Sequence, residues 1–246
     1  MSAKQNRDLL KADLWEDPAR NLSDQNLKIK APPPQKEAPA GSELIDLVPP
    51  DRFKCGRMPV IDAIKRRRSR RRYTRESLTL EELSYLLWAT QGRGQKGKTK
   101  FRTVPSGGGR HPFETYLIVY RVETLAAGLY RYLPFNHQLC LLREGVVGSN
   151  NLASACLDQK FVARSAVVFV WAAIPYRTEW RYPIVSAKLI AQDSGHLCQN
   201  LYIACESINA GTCAVAAYRQ REIDALVGVS GDDEFVVYLA PVGKVK

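Results

Sequence analysis

The stretch Lys65-Arg66-Arg67-Arg68-Ser69-Arg70-Arg71-Arg72 places seven cations around one serine. Because like charges repel, this segment needs either bulk water or an anion beside it. Three explanations compete: a solvated basic face, a nucleic-acid contact, and a phosphorylated cofactor held by arginine forks and the serine hydroxyl. The flanks favour the third, since residues 59–64 are typical of the end of a short apolar helix and Tyr73-Thr74 lead into another. The sequence therefore predicts a buried or half-buried anion site.

The overall composition is that of an ordinary globular chain with one local excess of positive charge. Of the 246 residues, 45% are hydrophobic and 25% are charged, which suits one large domain or two small ones. The formal net charge is +11, and residues 65–72 supply seven of those charges. Such local basicity fits a discrete anion site better than a surface that coats nucleic acid.

Membrane signals and cysteine spacing both bear on the compartment. The chain has no apolar run of membrane-spanning length and no signal peptide, so we expect no membrane contact and a cytoplasmic location. The six cysteines show no C-x-x-C spacing, which predicts reduced, mostly buried thiols rather than a zinc site or a disulfide framework. They are Cys55, Cys140, Cys156, Cys198, Cys205 and Cys213.

The chain divides into an arm and a body. Residues 1–57 are mostly polar and are interrupted by Pro32-Pro33-Pro34, which predicts a partly flexible arm or linker. Within the arm, residues 44–48 could pack on the body as an extended strap. The folded domain is expected to cover residues 58–246.

Hydrophobic periodicity predicts helices intermixed with strands, and hence the α+β class. Thr79 and Glu82 form a capping box that opens an apolar helix, and Gly92 is a plausible end for it. A long helix is expected from Ser186 to about Ile208. The predicted strands cover residues 113–122, 128–132, 138–142, 165–174 and 235–240.

Residues 92–99 match the nucleotide-binding pattern G-x-x-x-x-G-K-[ST]. That loop has to leave a strand and enter a helix, so that the amides of the helix N-terminus meet the phosphates. Here a helix precedes the pattern, and an extended segment that ends at Pro105 follows it. A mobile basic loop is therefore favoured over an ATPase or GTPase site.

Three consecutive glycines in Pro105-Ser106-Gly107-Gly108-Gly109-Arg110-His111-Pro112 leave the backbone uncovered. Something flat could approach such a backbone closely. The alternative interpretation is an ordinary flexible turn.

The order of these motifs resembles that of one known family. Arg67-Arg68-Ser69-Arg70-Arg71-Arg72-Tyr73 is similar to the R-R-S-x-R-x-F signature of nitroreductase flavoproteins. The capped helix and four later segments resemble the SagB-type dehydrogenase subgroup of that family, so that the likeness covers residues 58–244. These segments are Thr103-Val104-Pro105-Ser106-Gly107-Gly108, Gly128-Leu129-Tyr130-Arg131-Tyr132, Gly195-His196-Leu197-Cys198-Gln199-Asn200-Leu201 and Pro241-Val242-Gly243-Lys244.

The resemblance implies a nitroreductase-like fold, with a central mixed or antiparallel sheet flanked by helices, in an intertwined homodimer that holds two FMN molecules at its interface. Four residues would hold the FMN phosphate and ribityl chain: Arg67, Arg68, Ser69 and Arg71. Four would lie against the isoalloxazine ring, from the other subunit: Pro105, Ser106, Gly107 and Gly108. Lys244 would be a further phosphate cation. Gln199 and Asn200 would lie near the flavin, the alternative being buried amides satisfied by backbone.

The resemblance also implies the chemistry, which is that of an FMN-dependent oxidoreductase. Such an enzyme takes hydride from NADH or NADPH and reduces a nitroaromatic or a quinone, with the flavin rather than a protein acid or base carrying the reaction. His111 and His196 are therefore expected to be structural. The first alternative is the SagB-type reaction, oxidation of azolines in modified peptides. The second is a non-enzymatic nucleic-acid-binding protein that uses residues 66–72. The favoured homodimer is expected to bind a small molecule or a modified peptide and no nucleic acid.

Overall fold

The computed structural model describes residues 2–16, 22–94 and 101–246. The α-helices are α1 (Ala3–Asp8), α2 (Val60–Arg66), α3 (Leu80–Gln91), α4 (Ser149–Ala155), α5 (Tyr176–Glu179), α6 (Ser186–Glu206) and α7 (Gln220–Val227). The strands are β1 (Leu44–Asp46), β2 (Phe113–Val119), β3 (Gly128–Leu133), β4 (Gln138–Glu144), β5 (Val167–Ala173), β6 (Ala210–Thr212) and β7 (Phe235–Lys244).

The seven strands form one sheet in the order β1-β4-β3-β2-β5-β7-β6, and all six pairings between these strands are antiparallel. The predicted α+β class with an antiparallel sheet flanked by helices is therefore confirmed. The β3–β4 hairpin turns at His137, whose φ of 54° lies in the left-handed region, as the expected turn near residues 136–137 requires.

Helices cover both faces of the sheet, which explains the unbroken apolar run of β5. Val167, Phe169 and Trp171 face a core shared with α3 and α6. Val168 and Val170 alternate with them and face a second core under α4 and α7. Because successive side chains of a strand point to opposite faces, a strand covered on both sides has to be apolar throughout. The prediction of a strand buried on both faces is confirmed.

The local signals of α3 are also realised. The Thr79 hydroxyl accepts the Glu82 backbone N–H, and the Glu82 carboxylate accepts the Thr79 backbone N–H, which completes the capping box. Gly92 directly follows the last helical residue. A Cβ at Gly92 would lie 2.4 Å from a Trp88 ring carbon, so only glycine lets the chain turn away there.

Helix α6 spans 21 residues and packs its apolar stripe on the sheet, with Leu197 and Leu201 at most 1% exposed. Its opposite face carries polar residues. Among the described residues, no helix is both long and apolar enough to cross a membrane.

The arm takes a larger part in the fold than its composition indicates. Residues 44–46, which precede the expected boundary at residue 58, form the edge strand β1 and pair with β4. Further back, Arg177 Nε donates to the Pro33 carbonyl at 2.9 Å, and Arg102 donates to the Pro34 carbonyl at 2.7 Å. A proline lacks an N–H but keeps its carbonyl acceptor, so buried arginines can hold such a segment. The sheet is thus not contained in residues 58–246 alone.

A buried ion pair ties this segment to the body. Arg177 and Glu114 have side chains that are only 2% exposed, and their closest N–O distance is 2.5 Å. The same Glu114 carboxylate accepts the backbone N–H of Lys36 at 2.9 Å. Glu114 therefore serves both as the counterion of Arg177 and as an anchor for the arm.

Replacement of this carboxylate should destabilise the fold strongly. In Glu114→Ala the buried Arg177 charge loses its counterion, which should lower the free energy of unfolding by about 3–5 kcal/mol. Urea unfolding measures the change. Glu144→Ala, which removes an exposed carboxylate at the end of β4, should change the free energy by less than about 0.5 kcal/mol. Equal losses in the two variants would contradict the proposed anchor.

Candidate functional site

Residues 67–71, here called the cation segment, run along the free edge of β6. The Arg70 backbone N–H donates to the Thr212 carbonyl at 2.8 Å, and Ser69 forms a parallel bridge with Thr212. Gly211 makes this approach possible, because a Cβ there would lie 2.6 Å from the Arg70 Cβ. The segment therefore extends the sheet edge by one short extended stretch.

The charges of the cation segment are only partly balanced. The buried Glu206 carboxylate accepts the Arg68 backbone N–H at 3.3 Å and lies 3.8 Å from Arg70 Nε. Within the described ranges, the guanidinium groups of Arg67, Arg68 and Arg71 pair with no carboxylate. Three guanidinium groups thus remain available to an external anion. Arg68, Ser69 and Arg71 are exposed in the single chain, so the expected buried or half-buried anion site stays a prediction.

Tyr202 of α6 holds the segment in place. Its hydroxyl accepts the Ala214 backbone N–H at 2.9 Å and shares a hydrogen bond of 3.1 Å with the Ser69 hydroxyl. The Arg67 guanidinium lies over the Tyr202 ring, 5.4 Å from its centroid. Ser69 and Arg67, two predicted phosphate ligands, are therefore oriented by one aromatic side chain that the sequence analysis did not identify.

Lys244 is directed elsewhere. Its ammonium group pairs with the Glu82 carboxylate in the α3 cap and donates to the Ile208 carbonyl at 2.9 Å. Because Glu82 balances its charge, the structure does not group Lys244 with the three free guanidinium groups. Its role as a phosphate cation stays a prediction.

Residues 105–109, here called the glycine turn, lie against the N-terminal half of α6. The Ser106 hydroxyl donates to the Asp193 carboxylate at 2.5 Å, and the Gly107 backbone N–H donates to its other oxygen at 3.0 Å. Gly108 has a φ of 59°, and a Cβ there would lie 2.6 Å from the Tyr182 hydroxyl. At Gly109, with a φ of 65°, a Cβ would meet nothing within 4 Å. The turn is therefore fixed on its helix side and open at Gly109, while Pro105 is exposed.

The two histidines near the turn, His111 and His196, form no catalytic arrangement. Burial, reinforced by the neighbouring cations Arg102 and Arg110, lowers the pKa of His111 to about 3, so its ring is neutral at neutral pH. His196 is half exposed, and its Nδ1 lies 3.8 Å from Asp193. Their expected structural role stays a prediction.

Gln199 and Asn200 differ in their surroundings. The Asn200 side-chain amide donates to the Ala89 carbonyl at 2.8 Å and joins α6 to α3, as the backbone-satisfied alternative supposes. Gln199 is exposed on the outer face of α6. Neither amide points to a flavin contact within this one chain.

One helix carries both parts of the candidate site. The glycine turn is bound at Asp193, and the cation segment is bound at Tyr202, nine residues later. With a rise of 1.5 Å per residue, these attachment points are separated by about 13 Å along α6. The exposed residues Gly195, His196 and Gln199 lie between them. Within one chain the two parts are thus held apart.

The nucleotide-binding pattern has the context expected of a simple loop. Gly92 follows α3, and Arg93 and Arg102 form an antiparallel bridge across the pattern. Residues 95–99, including Lys98, lie outside the described residues. Among the described residues, no group of histidine, cysteine and acidic side chains could hold a metal ion.

Comparison with known proteins agrees with this geometry. The sequence profile of the nitroreductase family matches residues 64–244. A curated protein of Methanocaldococcus jannaschii, assigned as a nitroreductase, is 35% identical over 184 residues, which are 74% of this chain and 89% of that protein.

Two solved structures share the fold. A protein from Ralstonia eutropha assigned as a nitroreductase superposes with a TM-score of 0.71 at 26% identity, over 88% of this chain and 96% of that chain. A chain of the E. coli microcin synthetase McbBCD complex, solved with truncated pro-MccB17 bound, has a TM-score of 0.62 at 18% identity, over 90% of this chain and 80% of that chain. At this identity the second likeness concerns the fold alone.

Two glycine substitutions should separate the fixed side of the glycine turn from its open side. Gly109→Ala places a side chain at positive φ in open space, which costs about 1 kcal/mol. Gly108→Ala adds the displacement of Tyr182, so the turn should open more often. Amide hydrogen exchange of residues 104–111 should therefore be faster in Gly108→Ala than in Gly109→Ala. Identical exchange rates would contradict the contact with Tyr182.

Proposed function

Because this chain belongs to the nitroreductase family, we propose that it is an FMN-dependent oxidoreductase that takes hydride from NADH or NADPH and reduces a small organic acceptor, such as a nitroaromatic or a quinone. The observation that carries the proposal is the pair of half-sites on α6: unpaired guanidinium groups with a serine hydroxyl at one end and an open glycine turn at the other. A phosphate and a flat ring are the two ends of FMN.

The cation segment suits the phosphate end. Arg67, Arg68 and Arg71 offer planar donor forks that pair with phosphate oxygens in a bidentate way, and the Ser69 hydroxyl adds one further donor. Glu206 removes part of the repulsion within the segment by balancing Arg70. This donor set fits a dianionic phosphate with ribityl hydroxyl groups beside it.

The glycine turn suits the ring end. At Gly109 a Cβ would meet nothing within 4 Å, so a planar ligand could approach the backbone there, whereas Leu189 and Tyr182 already pack against Gly107 and Gly108. When bound, FMN supplies hydride acceptance and electron transfer. The residues of this chain then bind and orient the FMN. His111 beside the turn is neutral, and the proposed chemistry does not require it to transfer a proton.

A homodimer would join the two half-sites. The outer face of α6 is exposed around Gly195, where a Cβ would meet nothing within 4 Å, so a second helix could approach closely. If two α6 helices cross there in antiparallel fashion, the glycine turn of one chain comes level with the cation segment of its partner. A C2 pair would create two equal sites in this way.

Two complementary surfaces support this arrangement. The exposed apolar side chains Val60, Ile61 and Ile64 of α2 precede the cations of the segment. A groove of about 670 Å³ lies beside the first turns of α6, with an apolar floor that includes Ile190 and an acidic rim that includes Asp232. Antiparallel crossing brings α2 of one copy to the groove of the other. We propose that a second copy of this chain fills it.

The thiols support a reducing compartment such as the cytoplasm. All six cysteines are free, and five are buried. Burial raises the pKa of Cys156 and of Cys198 to about 12, so these thiols stay protonated and unreactive.

Oxidation of azolines in a modified peptide is the second candidate function. The order of motifs between Arg67 and Lys244 favours it, because that order resembles the SagB-type subgroup. The acceptor assay separates the two candidates. Reduction of quinones or nitroaromatics by NADH or NADPH supports the first, whereas flavin reduction by an azoline-containing peptide, with oxygen as acceptor, supports the second.

The first experiment is the absorption spectrum of the purified protein. A yellow protein with a flavin spectrum, bleached by NADH or NADPH and restored by a quinone, supports the proposed function. A colourless protein that takes up no FMN and binds DNA with a steep salt dependence would support the nucleic-acid alternative instead.

Single substitutions in the cation segment should weaken FMN retention. Arg67→Ala, Ser69→Ala and Arg71→Ala each remove one donor to the phosphate, which should cost about 1.5–3 kcal/mol, or about tenfold to a hundredfold in Kd. Equilibrium dialysis against FMN measures the loss. Arg75→Ala, an exposed arginine outside the segment, removes the same charge and should leave the Kd nearly unchanged. Unchanged affinity for FMN in all three variants would contradict the assignment of these residues as phosphate ligands.

Disruption of α2 should separate the subunits and release flavin at the same time. Ile61→Asp places a charge on a side chain that is 71% exposed in one chain but buried in the proposed dimer. Because a C2 interface contains the change twice, the dimer Kd should rise at least about a hundredfold. Val146→Asp, at a side chain 64% exposed away from α6, is the control. Sedimentation of the FMN-loaded protein measures both; a stable monomer with one tightly held flavin would contradict the shared site.

A further inference from the structure

Asp193 is the point at which α6 holds the glycine turn. Its two carboxylate oxygens accept from two different donors, the Ser106 hydroxyl at 2.5 Å and the Gly107 backbone N–H at 3.0 Å. The carboxylate is only 5% exposed. Hydrogen bonds to a buried, charged acceptor are among the stronger ones in proteins, so this pair fixes both the position and the direction of the turn.

A third hydrogen bond extends this arrangement to the end of the turn. The Ser106 hydroxyl oxygen accepts the His111 backbone N–H at 2.8 Å while its proton is donated to Asp193. His111 has a φ of 48°, an unusual conformation for a residue with a side chain, and the surroundings must hold it there. The carboxylate thus acts on both ends of the glycine turn through Ser106.

Asp193 lies on the helix side of the glycine turn, whereas the turn is open at Gly109. An ionisable neighbour is His196, whose Nδ1 is 3.8 Å away and whose side chain is half exposed. Within the described ranges, no lysine or arginine forms an ion pair with Asp193. Burial raises the pKa of this carboxyl, and the donors Ser106 and Gly107 oppose the rise by stabilising the charged form.

We propose that Asp193 is a positioning residue that fixes the glycine turn against the flavin ring, and that its negative charge lowers the reduction potential of the bound flavin. The first part follows from the hydrogen bonds. The second follows because a fixed anion near the ring disfavours the added electron density of the reduced form. The effect on the flavin rests on the proposed FMN function, whereas the fixing of the turn by Asp193 does not.

The positioning role can be measured without any cofactor. In Asp193→Ala, amide hydrogen exchange of residues 104–111 in the flavin-free protein should accelerate at least about tenfold, because two hydrogen bonds to a carboxylate are lost. Asp193→Asn keeps an acceptor for the Gly107 N–H and should change the exchange less. Unchanged exchange in Asp193→Ala would overturn the positioning role.

The effect of the charge is measured on the flavin-loaded protein. Asp193→Asn retains the shape of the side chain and removes its charge, so the flavin should be reduced at a more positive potential while most of it stays bound. The matched control is Asp224→Asn on α7, because Asp224 is a buried carboxylate, 4% exposed, that accepts the Val236 backbone N–H at 2.8 Å away from the turn. It should leave the potential unchanged.

The outcomes separate this inference from the function on which part of it depends. A wild-type potential in Asp193→Asn, or an equal shift in Asp224→Asn, would overturn the electrostatic part. Wild-type protein that takes up no FMN would overturn the proposed function and the electrostatic part together. The exchange measurement on the flavin-free chain would then still decide whether Asp193 positions the turn.

Discussion

The rigid spacing along α6 is the constraint on which the rest of the structure depends. An α-helix has a fixed rise, so the attachment points at Asp193 and Tyr202 cannot approach each other within one chain. The sheet and α3 support this helix on one side only, and the opposite face is left uncovered around Gly195. The cation segment and the glycine turn are both attached to α6, through Tyr202 and Asp193.

The cation segment shows how a locally repulsive sequence becomes part of a fold. Arg70 packs against Gly211 of β6, which lets the segment approach the sheet edge, and its backbone N–H bonds to the Thr212 carbonyl. One buried carboxylate, Glu206, balances one guanidinium group and leaves the others at the surface. In the proposed FMN site, the phosphate would relieve the repulsion among the remaining guanidinium groups.

Local sequence signals predicted part of this structure. The remaining features depend on contacts between residues that are far apart in the sequence. The α3 cap, the doubly covered strand β5 and the long helix α6 follow from patterns within a few residues of one another. Asp193 and Tyr202 are single polar residues in an amphipathic helix, so only their tertiary contacts distinguish them from surface residues. Lys244 meets Glu82 across 162 residues of sequence. The extended strap expected at residues 44–48 contains β1, but its pairing with β4 is a distant contact. Hydrophobic periodicity within one segment does not indicate contacts between residues that are far apart in the sequence.

The arginine-held arm has a consequence for the order in which the molecule is built. The arm leaves the ribosome before these partners, because Arg177 lies 144 residues after Pro33 and Glu234 lies 198 residues after Lys36, which it binds. The contacts of the arm with Arg177 and Glu234 therefore cannot form until residues 177 and 234 have been synthesised. Contacts of such long separation form late and slow the final steps of folding. Complete docking of the arm is thus a late event of assembly, and a nascent chain that stalls before residue 177 contains Arg102 and Glu114 but lacks the buried counterion Arg177.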